Sequence, residues 1–61
     1  MNLHEICRKK RREKDMTQKR LSEYVNIDHS AISRFEKTGS GISTDALQRL
    51  IDFFEIKING S

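Results

Sequence analysis

Hydrogen-bond donors and cations, rather than nucleophiles or acid–base pairs, are the chemical resource of this chain. Thr17, Gln18, Lys19, His29, Ser30, Ser33, Arg34, Lys37, Ser40, Ser43 and Thr44 crowd into its middle. Groups of this kind grip a partner without changing it: an arginine can donate two bonds to the O6 and N7 of a guanine, or clasp a phosphate. The sequence contains no glycine-rich phosphate loop, no paired carboxylates and no nucleophile–base arrangement, so an enzyme is not expected. His4 and Cys7 fall on adjacent turns of one helix, but two ligands do not make a metal site, and no cofactor is implied.

Length and charge narrow the class of partner. Sixty-one residues suffice for one small domain, 1–61, and leave no room for a large enclosed pocket. No apolar run approaches the roughly 20 residues that cross a bilayer, no signal peptide is legible, and Cys7 has no internal disulfide partner. A cytoplasmic, reducing location is the simplest expectation. Net charge is +3, but it is unevenly spread. Residues 1–20 hold eight bases and three acids (+5), whereas residues 21–61 hold four bases and six acids (−2). One positive end on a small domain suits a polyanion; a solvated helix face is the plainer alternative.

Four helices must position these groups. Asn2 with Glu5 three residues on forms a capping-box pattern ahead of Leu3, Ile6 and Cys7, and this first helix should end near Lys14-Asp15. Thr17 is an N-cap for a second helix with Leu21 and Val25 inward, closed by Asn26, which tolerates the left-handed conformation. Asp28 caps a third helix with Ile32 and Phe35 inward, broken by Gly39-Ser40-Gly41. Ser43 or Thr44 caps a fourth, with Asp45 placed for the helix dipole and Leu47, Leu50, Ile51 and Phe54 as its apolar stripe. The tail from Glu55 to Ser61 is too short for a stable fifth helix and is left open.

Spacing within the two middle helices is more specific than their existence. From Gln18 to Lys37, apolar residues fall at Leu21, Val25, Ile27, Ile32 and Phe35, with the small Ser22 at the helix crossing and the turn-former Asn26 between the helices. Such a set locks two helices at a fixed steep angle, the requirement for a helix-turn-helix that lays one helix in a groove and the other across the backbone. An ordinary helical hairpin in a bundle shares part of this pattern.

The run Thr17-Gln18-Lys19-Arg20-Leu21-Ser22-Glu23-Tyr24-Val25-Asn26-Ile27, followed by Ile32-Ser33-Arg34-Phe35-Glu36-Lys37, resembles the Cro/cI-type (xenobiotic-response-element) helix-turn-helix family. The likeness runs without a gap from about Leu3 to Ile56. It implies an all-α, lambda-repressor-like DNA-binding domain of four to five short helices. It also implies that Gln18 grips a phosphate and that Arg11 pairs with Glu36 inside the domain rather than on DNA. The chain departs from the family pattern at Asn26 and Ser22, where glycine and alanine are usual, and at Thr38 and Ile42, where glycine and proline are common. The loop at 38–42 is therefore expected to take its own path.

On these grounds the expected partner is double-stranded DNA. With Ile32 and Phe35 inward, His29, Ser30, Ser33 and Arg34 face outward as base-reading candidates. Arg34 equally suits a phosphate; a plain surface position is the alternative for His29, and a bond to its own helix backbone for the Ser33 hydroxyl. Thr17, Gln18, Lys19, Lys37, Ser40, Ser43 and Thr44 are phosphate candidates, while Arg8, Lys9 and Arg12 add long-range attraction. One four-helix monomer makes few base contacts, so a homodimer on a palindromic operator is expected, with Phe53 and Ile58 as interface candidates and no membrane involved. A bacterial or phage repressor fits best, with a regulatory partner protein as one route of control. The rival from another class is a protein-interaction module of the same fold, an adaptor, antirepressor or antitoxin, without its own operator. An RNA-binding domain is weaker because no stacking aromatics line the basic surface.

Overall fold

The computed structural model describes residues 2–56, and Ile58 and its neighbours in the tail lie outside the described residues. Within them the chain forms four α-helices: α1 (Leu3–Glu13), α2 (Gln18–Val25), α3 (His29–Thr38) and α4 (Thr44–Phe54). No strand occurs among the described residues. α1 and α2 each pack against both α3 and α4, so one shared core lies among the four helices.

That core is small and drawn from every element. Cys7 comes from α1, Leu21 and Val25 from α2, Ile27 from the turn, Ile32 and Phe35 from α3, and Ala46, Leu50 and Phe54 from α4. Leu3, Met16, Ala31, Ile42, Leu47, Phe53 and Ile56 cover its margins. Each fully buried large side chain contributes about 1.5–3 kcal/mol, so a core this size depends on local devices to hold the helices in place.

Those devices are the caps. Thr17 Oγ1 accepts the Arg20 N–H at 3.0 Å, and Ser43 Oγ accepts that of Ala46 at 3.1 Å. Asp28 Oδ2 accepts the Ser30 N–H at 3.2 Å and the Ser30 hydroxyl as well. Each satisfies donors that a helix start leaves unpaired. Ser43, not Thr44, holds the α4 cap position; Thr44 is the first helical residue. Asn26 ends α2 in the left-handed region (φ 55°), and Gly39 ends α3 in the same region (φ 82°).

One expectation is corrected. Asn2 occupies the α1 cap position with extended backbone, and its carbonyl accepts the Ile6 N–H at 3.0 Å, but its side chain makes no cap bond. Glu5 therefore acts through the positive end of the helix rather than through a capping box. Ile6 is only half-buried, and Cys7 is the one fully buried residue of α1.

Candidate nucleic-acid interface

The α2–turn–α3 unit is fastened from outside. The N–H groups of Asn26 and Ile27 donate to the Ser22 carbonyl, the latter at 3.1 Å, closing the turn. The carbonyl of Asn26 then accepts from Arg49 Nη1 of α4 at 2.9 Å, while Arg49 Nη2 is held by Asp45 Oδ2 at 2.7 Å. Ser22 is half-buried, and its hydroxyl donates to the Lys19 carbonyl.

A second fastening ties α3 to α1 and to the start of α2. Arg11 donates through Nε to Glu36 Oε2 at 2.7 Å and through Nη2 to Glu36 Oε1 at 3.0 Å. Its remaining Nη1 donates to the Met16 carbonyl at 2.6 Å. Gln18 Nε2 adds a bond to Glu36 Oε1 at 3.0 Å. Arg11 is 11% exposed and Glu36 3%, so the pair lies largely out of water with its hydrogen-bonding groups matched. No side-chain nitrogen or oxygen buried among the described residues lacks a partner. Behind the pair, burial first and the Glu36 charge second push the Cys7 thiol up to about 11.

With the inward side committed, α3 presents His29, Ser30, Ser33, Arg34 and Lys37 to solvent. Neither Arg34 nor Lys37 forms an ion pair among the described residues. Arg34 lies on the side of the α3–α4 loop: a Cβ on Gly41 (φ 81°) would stand in ordinary van der Waals contact, 3.6 Å, with both Cβ and Nε of Arg34. The Ser30 hydroxyl donates to Asp28 and holds that carboxyl below the usual range, helped by the backbone N–H groups of Ser30 and Ala31 and the Arg34 charge. Ser30 therefore meets any partner chiefly as an acceptor. Ser33 makes no bond to its own helix backbone among the described residues, unlike Thr38, whose hydroxyl donates to the Arg34 carbonyl at 2.9 Å.

The phosphate candidates divide by how much of their chemistry the fold uses. Lys19 and Lys37 are exposed cations. Thr17 and Ser43 accept cap bonds and keep a hydroxyl proton to donate. Gln18 gives one amide hydrogen to Glu36 and keeps the other. The Ser40 hydroxyl lies 3.1 Å from that of Thr38, and its N–H donates to Thr38 Oγ1 at 3.2 Å. Thr44 is exposed at the start of α4.

Three placements were not foreseen from sequence. Arg8 and Arg12, expected only to add long-range attraction, line a surface groove with Gln18, Ser33 and Lys37. The available signal was the 8, 11, 12 spacing, which puts all three arginines on one face of α1 once Arg11 is paired with α3. Arg49 clasps the turn from α4. Tyr24 is 61% exposed and stacks beside Phe53 at 5.9 Å; Phe53 itself is half-buried, edge-on to Phe54 at 5.1 Å. Among the described residues no group of three His, Cys, Asp or Glu assembles as metal ligands would. His4 instead packs edge-on to Phe35 at 6.2 Å.

Four helices, a fastened turn and an outward polar α3 match the expectation drawn from the Thr17–Lys37 run. A family model described as helix-turn-helix, of the Cro/C1 type, matches residues 8–60. The chain belongs to this helix-turn-helix family. The fold is accordingly the all-α, lambda-repressor-like one, and DNA binding in transcription regulation is the family's business. No curated protein and no solved structure matches the chain. No described helix is long and apolar enough to cross a membrane.

Proposed function

We propose that this helix-turn-helix protein is a sequence-specific transcriptional repressor that binds a palindromic operator as a homodimer. α3 enters the major groove, with His29, Ser30 and Arg34 at base edges and Arg34 donating its two bonds to a guanine. Lys19, Lys37, Thr17, Gln18 and the Ser40–Thr44 segment hold phosphates on either side. The observation that carries this function is the outward set on α3, including an unpaired Arg34, presented by a helix that the Arg11–Glu36–Gln18 network holds rigid. An adaptor of the same fold has no need of that exposed set.

Dimerisation belongs to the same proposal. Tyr24, exposed, and Phe53, half-buried beside it, form an aromatic pair that suits a second copy, and a homodimer on a palindrome needs its two α3 helices about 34 Å apart. Sedimentation of Phe53→Asp checks this: a monomer is expected, and dimerisation equal to wild type contradicts it.

The decisive experiment is selection of bound duplexes from a random DNA pool at two salt concentrations. A palindromic consensus that survives moderate salt is expected. Loss of all affinity at moderate salt with no enriched sequence overturns the proposal.

A further inference from the structure

The groove between α1 and α3 has the composition of an anion site. Arg8 and Arg12 line it from α1, Ser33 and Lys37 from α3, and Gln18 from the start of α2. On its inner side Arg11 and Glu36 cancel one another at 2.7 Å, which leaves the charges of Arg8, Arg12 and Lys37 unbalanced there. No acid lies within ion-pair distance of those three cations among the described residues. Glu5 and Glu13 share the other side of Arg8 and Arg12 along α1, with Lys9.

We infer that this groove holds phosphodiester oxygens of the operator backbone, so that α1 grips DNA directly rather than merely raising the local field. The inference rests on the DNA-binding function proposed above and names the part that α1 plays in it. Geometry supplies the reason. α3 is flanked on one side by the α3–α4 loop, against which Arg34 lies, and on the other by this groove. A helix in a major groove about 12 Å wide has a phosphate strand along each side. The loop side faces one strand with hydroxyls and amides, and the α1 side faces the other with three cations and the Ser33 hydroxyl. Ser33, placed in the groove, then serves the backbone and not a base edge. Guanidinium groups suit the task because their fork matches two phosphate oxygens.

The test separates contact from overall charge. Arg12→Ala and Lys9→Ala remove the same charge from α1, but only Arg12 lines the groove. Affinity for the selected duplex is measured across a salt series for wild type, Arg12→Ala, Arg8→Ala/Arg12→Ala and Lys9→Ala, with helicity checked by circular dichroism. The slope of log affinity against log salt should fall by about two for Arg12→Ala and about four for the double variant, one contact per substitution in each half-site, and stay near wild type for Lys9→Ala. At low salt the double variant should bind about 10- to 100-fold more weakly, with its base preferences unchanged. Equal effects of Arg12→Ala and Lys9→Ala, or an unchanged slope in the double variant, overturn the inference and leave the proposed function standing. A wild-type chain that binds no duplex overturns both.

Discussion

The two flanks of α3 are built on opposite plans. The α1 flank is electrostatic: Arg8, Arg12 and Lys37 stand beside a largely buried Arg11–Glu36 pair that Gln18 and the Met16 carbonyl complete. The α3–α4 flank carries no charge from Thr38 to Thr44 and is assembled from a left-handed Gly39, the Thr38–Ser40 bonds and the Ser43 cap. Charge acts over a Debye length and weakens with salt, whereas hydroxyls and amides act only at contact. A reader held between these flanks gains attraction from one side and register from the other. The same contrast predicts that mutations on the α1 side lower stability or salt slope, and those on the loop side lower stability and fit.

The largest effect should follow Glu36→Ala, which strands the Arg11 guanidinium with 11% exposure. Breaking one partner of such a pair costs about 3–5 kcal/mol. At about 4–8 °C per kcal/mol in a domain this small, thermal melting should drop by more than 10 °C. A Tm within 3 °C of wild type contradicts the role given to the pair.

Gly39→Ala comes next and probes the loop flank. Its Cβ would lie 2.7 Å from His4 Nδ1, and φ 82° is strained for any side chain, so a loss of about 1–3 kcal/mol is expected by urea unfolding. His4→Ala/Gly39→Ala should recover the steric part and leave the backbone part. If the double variant is no more stable than Gly39→Ala, His4 is not the obstacle.

Ser43→Ala removes one cap and should cost about 1 kcal/mol by the same measurement, with an unaltered salt slope. A slope change there would bring the loop flank closer in kind to the α1 flank.

Cys7 reports on the α1 flank from within. Its folded pKa of about 11 lies above the ordinary value of a thiol, so the folded state favours the neutral form. Its contribution to stability is complete below about pH 9 and is lost as pH rises through 9 to 11, which unfolding curves across that range should show. At neutral pH a thiol reagent should label Cys7 only as fast as the domain opens. Rapid labelling without unfolding would mean that α1 is not seated on α3.

Much of this was legible in residue types because the devices are local. Thr17, Asp28 and Ser43 cap the helices they precede, and Asn26 turns where a left-handed residue is needed. Local pattern misled at Asn2, whose side chain stays unbonded, and it was silent at Asp15 and Glu55, which take φ 55° and 54°, although glutamate is not a usual choice there. In both cases the path of the chain between packed helices decides, not the residue. The α1 groove and the Arg49 clasp were hidden for a related reason. Arg8 and Ser33, or Arg49 and Asn26, are far apart in sequence and meet only once the helices are packed.

The central claim, that α3 reads base edges between two phosphate grips, is tested most directly through Arg34. Binding of wild type and Arg34→Ala is compared on the selected duplex and on duplexes substituted at each guanine–cytosine pair of a half-site. Arg34→Ala should weaken binding to the selected duplex by about 1–3 kcal/mol per half-site and abolish discrimination at one base pair in each, leaving the other positions intact. Uniform weakening on every duplex, with discrimination retained throughout, would make Arg34 a backbone contact and contradict the account of how this domain reads DNA.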